Sequence, residues 1–131
     1  MELRSVDELM DLLYACRHQH ALRTAALLRR SRPADKELQV AGLVHDIGQL
    51  LSPGDEAGRG QSAAEAVRPL LGERVYRLVR HHGPATDDDL LRLRMADEES
   101  WGAGFDAGVL EDWRTVLELV AARNSRLGAV D

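Results

Sequence analysis

Apolar residues recur three and four positions apart along most of this 131-residue chain, which is the spacing of one face of an α-helix. Leu9, Leu12 and Leu13 share such a face. They follow Ser5-Val6-Asp7-Glu8, a capping box with Ser5 at the N-cap and Glu8 reaching back. A second helix carries His20, Thr24 and Leu27 in phase and stops at Ser31-Arg32-Pro33. Pro33 suits the first turn of a third helix, which runs through Leu38 and Val44 to His45-Asp46 and ends at Gly48 in a left-handed turn. Residues 52–60 hold Pro53, Gly54, Gly58 and Gly60 among charges and read as a loop. One helix follows from about Gln61 to Leu71, closed by Gly72, and another from Glu73 to His81 with Val75, Leu78 and Val79 inward. Thr86 with Asp89 is a second capping box, opening a helix with Leu90, Leu93 and Asp97 on one stripe. A last helix carries Leu110, Trp113, Val116, Leu117 and Val120. No alternation of period two appears. The pattern predicts a single all-α domain over residues 1–131, a compact bundle of about six or seven helices.

Composition narrows this picture without redirecting it. Aromatic residues make up only 4% of the chain, so the core must be built from Leu, Val and Ala, which favours packed helices over a β-sandwich. The net charge of -5 argues against a nucleic-acid partner, because phosphate contacts need a basic face. Lys36 is the one lysine among the basic residues, a bias read as coding preference rather than phosphate binding. A single cysteine, Cys16, excludes an internal disulfide and a cysteine-rich zinc site, and its helical neighbours make it a small core filler. Glu2, Arg4, Asp7 and Glu8 interrupt any signal peptide, and no apolar stretch approaches the ~20 residues that span a bilayer. A soluble, cytoplasmic protein with no membrane partner is expected. Trp101 and Trp113 are read as core residues before an interface between copies, so an oligomer is neither required nor excluded.

The chemistry concentrates at His45-Asp46, which closes the apolar run from Leu38 to Val44. An ionised carboxylate in such a setting costs several kcal/mol unless it is paired or holds a metal. Leu90, Leu93 and Asp97 follow the i, i+3, i+7 rule, so Asp97 turns inward while Glu98 faces solvent. With His20, four inward groups from three helices can converge on one ion. Two imidazoles and two carboxylates suit a divalent first-row metal such as Fe, Mn, Co or Zn. His81 and His82 end a helix, where the dipole favours an imidazolium. His82 is the one placed beside the ion, as acid, substrate contact or further metal ligand.

The order His20, then Leu43-Val44-His45-Asp46-Ile47-Gly48, then Asp97 resembles the H…HD…D signature of the HD-domain superfamily. That resemblance implies an all-α metal-binding domain, most often a phosphohydrolase of nucleotides or other phosphoesters, with these four positions holding the metal. A narrower stretch, from Arg68-Pro69-Leu70 through Val75 to His81-His82-Gly83, is similar to the branch containing diiron oxygenases of organophosphonates, distant relatives of inositol oxygenase. There two further histidines hold a second iron. His82 matches the later one, but Arg59 stands at the earlier position, and a guanidinium cannot ligate a cation. The long insert that carries a substrate-binding lysine in the oxygenases is also missing. Both departures point to one ion per chain.

The expected activity is therefore hydrolysis of a small, phosphate-bearing substrate. His20, His45, Asp46 and Asp97 hold the metal. Asp46, Arg59 and His82 act in catalysis, and Arg59, with Arg80 or His82, balances charge on phosphate oxygens. Two alternatives stand beside it. One is an iron-dependent oxygenase acting on a small organophosphonate-like or polyol substrate. The other is a non-catalytic HD scaffold that binds a ligand or regulates a partner.

Overall fold

The computed structural model of the chain describes residues 2–16, 18–55, 58–80, 87–102 and 106–130, with residues 18 and 126–130 described by their backbone alone. These form α1 (Val6–Ala15), α2 (His18–Ser31), α3 (Lys36–Val44), the single turn α4 (Gly48–Leu51), α5 (Arg59–Leu71), α6 (Glu73–Arg80), α7 (Asp88–Gly102) and α8 (Arg114–Val130). Short 3-10 turns at His45–Ile47 and Leu110–Trp113 lead into α4 and α8. Among the described residues there are seven helices longer than α4 and no strand, the all-α bundle that the periodicity predicts. None of these helices is long and apolar enough to cross a membrane.

The central element is α3. Every residue from Leu38 to Val44 is buried, because this stretch has no polar face to offer water. Its one polar side chain, Gln39, donates to the carbonyls of Arg32 and Pro33 at 2.8 and 3.2 Å. A leucine as buried as Leu43 contributes about 2 kcal/mol by leaving water. Around α3 pack α2, α6, α7 and α8. The approach of α2 depends on Gly42, where a Cβ would lie 2.5 Å from Leu28 Cδ1 and 3.2 Å from Thr24 Cγ2. Contacts at both ends show that α2 runs antiparallel to α3 and α7. The start of α2 and the ends of α3 and α7 therefore meet at one end of the bundle.

Local chemistry departs from the sequence reading at several points. Pro33 is not in the first turn of α3. Asp35 takes the N-cap instead, its Oδ1 accepting from the Leu38 N–H at 3.1 Å. Gly48 is not a left-handed stop either: its φ of -59° is helical, and it opens α4. The reason for glycine there is proximity, since a Cβ would lie 2.1 Å from the Arg59 carbonyl oxygen. Helix α5 begins at Arg59 rather than near Gln61, so Arg59 belongs to a helix and not to the loop. Thr86 lies outside the described residues. Asp87 caps α7, accepting from the N–H groups of Asp89 and Leu90 at 3.1 and 3.2 Å. Asp89 is thereby released to pair with Arg74. At α1 the box forms with a shift: Ser5 Oγ accepts from Glu8 N–H, and Glu8 Oε1 accepts from Arg4 N–H, one residue before the cap. Cys16 caps the C-terminus of α1 and is only half-buried. Trp113 is a core residue, but Trp101 is 67% exposed.

Candidate metal centre

Three helices deliver the predicted groups to one point. His20 sits in the first turn of α2 and is 5% exposed. His45 caps α3 and opens the 3-10 turn that also carries Asp46. Asp97 lies on the α7 face that buries Leu90 and Leu93, whereas Glu98 is exposed. Asp97 Oδ1 is 2.6 Å from His20 Nε2 and 3.0 Å from His45 Nε2. These three residues offer one ligand atom each, all within 4.8 Å of one another. Asp46 reaches the same two nitrogens through separate oxygens, Oδ1 at 3.2 Å from His45 and Oδ2 at 3.5 Å from His20.

The hydrogen bonding of His45 tests whether this set suits a cation. Its Nδ1 lies 2.6 Å from the Gly42 carbonyl oxygen, which can only accept, so Nδ1 carries a proton. In the neutral ring Nε2 is then a bare lone pair, and it faces carboxylate oxygens of Asp97 and Asp46. That arrangement is repulsive until a positive charge lies between them, and a proton or a metal ion serves. A histidine whose other nitrogen donates to a backbone carbonyl is also the usual support of a metal ligand. With the protein's own charges alone, burial disfavours the imidazolium of His45. The hydrogen bond to Asp97 and the charges of Asp46 and Asp97 outweigh it, and the pKa stands above the ordinary histidine value. Burial likewise raises Asp97, but its bonds and charge interactions with the two imidazoles win and hold it at about 2. The donor set fits a divalent metal.

The remaining predicted residues are placed less directly. The carbonyl of Arg59 lies against Gly48, beside the 3-10 turn that carries Asp46, and its Nε is buried with no hydrogen-bond partner among the described residues. Arg80 Nη1 donates to Tyr76 Oη at 3.4 Å, so this guanidinium turns back along α6. His81 and His82 lie outside the described residues. A cavity of about 210 Å3 opens onto Asp46, lined also by Ala15, Cys16, Gln49 and Leu50. Burial, followed by the charge of Asp46, pushes the Cys16 thiol up, the opposite of an activated thiolate.

Two neighbours of His20 escaped the sequence reading. Ser100 Oγ lies 2.6 Å from His20 Nδ1, and Trp101 stacks on the imidazole with ring centroids 3.7 Å apart and planes 15° from parallel. Ser100 follows Asp97 by three residues on the same helix, so the stripe that reveals Asp97 passes through it. The exposure of Trp101 has no counterpart in the hydrophobic pattern.

No curated protein and no solved structure matches the chain. The family model of the HD domain matches residues 17–125, a span that contains both histidines and both aspartates of the cluster. This chain belongs to the HD-domain family.

Proposed function

We propose that this chain is a metal-dependent phosphohydrolase of a small phosphoester or nucleotide, with one divalent ion per chain held by His20, His45, Asp46 and Asp97. The observation that carries the reading is the convergence of one ligand atom each from His20, His45 and Asp97 within 4.8 Å while His45 Nδ1 is committed to Gly42. Fe, Mn, Co and Zn all accept such nitrogen and oxygen donors. A bound divalent ion supplies Lewis acidity toward water and toward a phosphoryl oxygen.

The chain's own residues divide the rest of the work. Asp46 lines the 210 Å3 cavity and also meets both imidazoles, which supports giving its carboxylate the role of accepting a proton from water. Arg59 packs its backbone against the same turn through Gly48, and its guanidinium is given the role of balancing charge on phosphate oxygens. His82 is assigned the further substrate or metal contact that the family resemblance implies.

Elemental analysis of protein purified without added metal, followed by a phosphoester panel with Mn2+, tests the reading. About one ion per chain and phosphate release that a chelator abolishes are expected. Two irons per chain with oxygen-dependent turnover would replace it with the oxygenase. Bound metal with no turnover on either panel would replace it with the non-catalytic module.

A further inference from the structure

Ser100 is completely buried in α7, three residues beyond Asp97. A buried hydroxyl is costly unless its hydrogen bonds are made, so its partners are informative. Its Oγ lies 2.7 Å from the Asp97 carbonyl oxygen, 2.6 Å from His20 Nδ1 and 3.0 Å from Thr24 Oγ1. A carbonyl can only accept, so the single hydroxyl proton goes to Asp97. Ser100 Oγ is then an acceptor toward its other neighbours. Thr24, also completely buried, lies 3.0 Å from the His20 carbonyl as well and directs its one proton to that oxygen or to Ser100. What remains for His20 is to donate from Nδ1.

A neutral imidazole has only one N–H. With it at Nδ1, the lone pair sits on Nε2, the nitrogen that faces Asp97 Oδ1 and Asp46 Oδ2. The opposite tautomer would aim a bare Nδ1 at an oxygen with no proton to give. Trp101, the next residue, covers one face of the same ring. Asp97, Ser100 and Trp101 thus meet His20 at one nitrogen, at the other, and on its plane. We propose that Ser100 is a positioning residue that selects the His20 tautomer able to ligate a cation through Nε2, as Gly42 does for His45.

The inference rests on the metal centre proposed above, and the test separates the two. In Zn2+-loaded, 15N-labelled full-length protein, the His20 ring is expected to show a protonated Nδ1 and a metal-bound Nε2. Ser100→Ala should weaken Zn2+ in a chelator competition by roughly tenfold to a hundredfold, the usual cost of losing a group that orients a ligand. Thr24→Val keeps the shape and leaves Ser100 in place, so its loss should stay under about tenfold. Zn2+ bound through Nδ1 in the wild type overturns the inference alone, and so does a folded Ser100→Ala chain with unchanged affinity. If Ser100→Ala does not fold, the wild-type ring spectrum decides. A wild-type chain that takes up no Zn2+ rejects the metal centre and this inference with it.

Discussion

Two polar clusters tie α2, α3 and α7 together, one at each end of the bundle, and they solve the burial of charge in different ways. At the end away from the histidines, Arg74 of α6 forms a two-pronged pair with Asp35 at 2.6 and 2.7 Å, and reaches Asp89 at 3.0 Å and Glu37 at 3.3 Å. Arg32, just after α2, pairs with Asp88 and Asp89. There the chain supplies its own cations, and each guanidinium brings a fixed fork of donors that matches carboxylates. At the other end, among the described residues, Asp46 and Asp97 meet two imidazoles, whose Nδ1 atoms lie against Gly42 and Ser100. The first cluster is complete as folded. The second is balanced by added positive charge, such as a proton or a cation supplies, so one cluster is a structural clamp and the other is proposed as a binding site.

Asp97→Ala strikes the second cluster hardest, because that carboxylate is shared by both imidazoles. Affinity for Mn2+ or Zn2+, read by calorimetry, should fall by at least about a hundredfold. The metal-free chain should lose stability in urea as well, because a carboxylate whose pKa is held at about 2 stabilises the fold at neutral pH. Arg74→Ala should cost stability and spare the metal. It removes the shared cation from Asp35 and Glu37 in partly buried positions and leaves Asp89 with Arg32, and a loss of about 2 kcal/mol in urea unfolding is expected. Metal affinity should stay within about twofold, since the clusters share no partner. A large drop in affinity would show that the two ends are coupled through α2 and α3.

Acid separates the clusters by sign. Metal-free, His45 has a pKa above its unfolded value of about 6.5, so its stabilisation is full below that pH and is lost as pH rises through the folded value. Metal reverses the trend, because the ion binds deprotonated imidazoles and stabilises more as pH rises. Melting curves with and without Zn2+ should therefore slope in opposite directions across the histidine range. Asp35 behaves differently: the Arg74 hydrogen bond holds its carboxyl below the usual range. Its contribution is present above about pH 4 and is lost as pH falls through the folded value, with or without metal. Parallel slopes near neutrality would sink the assignment of the histidines to a metal. The smallest effect is expected from Glu98→Ala, one residue from Asp97 but exposed. Stability should change by no more than about 0.5 kcal/mol and metal affinity not at all.

What the sequence by itself determined is what a single helix can encode. Three- and four-residue spacing revealed which faces are buried, placed Asp97 inward and Glu98 outward, and marked α3 as the apolar centre. A cap such as Ser5 was legible because its partner Glu8 is three residues away. Distances between helices were decided only by the tertiary structure. The bonds of His20 to Asp97 and Ser100 cross 77 and 80 residues. They exist because Gly42 lets α2 close on α3 and because α7 runs antiparallel to α2. Gly48 looked like a helix stop because its real reason, the carbonyl of Arg59, comes from another helix. Asp89 likewise answers to Arg74 across the bundle, a pairing that no local spacing encodes. Periodicity reports burial, which is averaged over a helix face. Hydrogen bonds and glycine contacts depend on the position of single atoms, and those are set by how the helices cross.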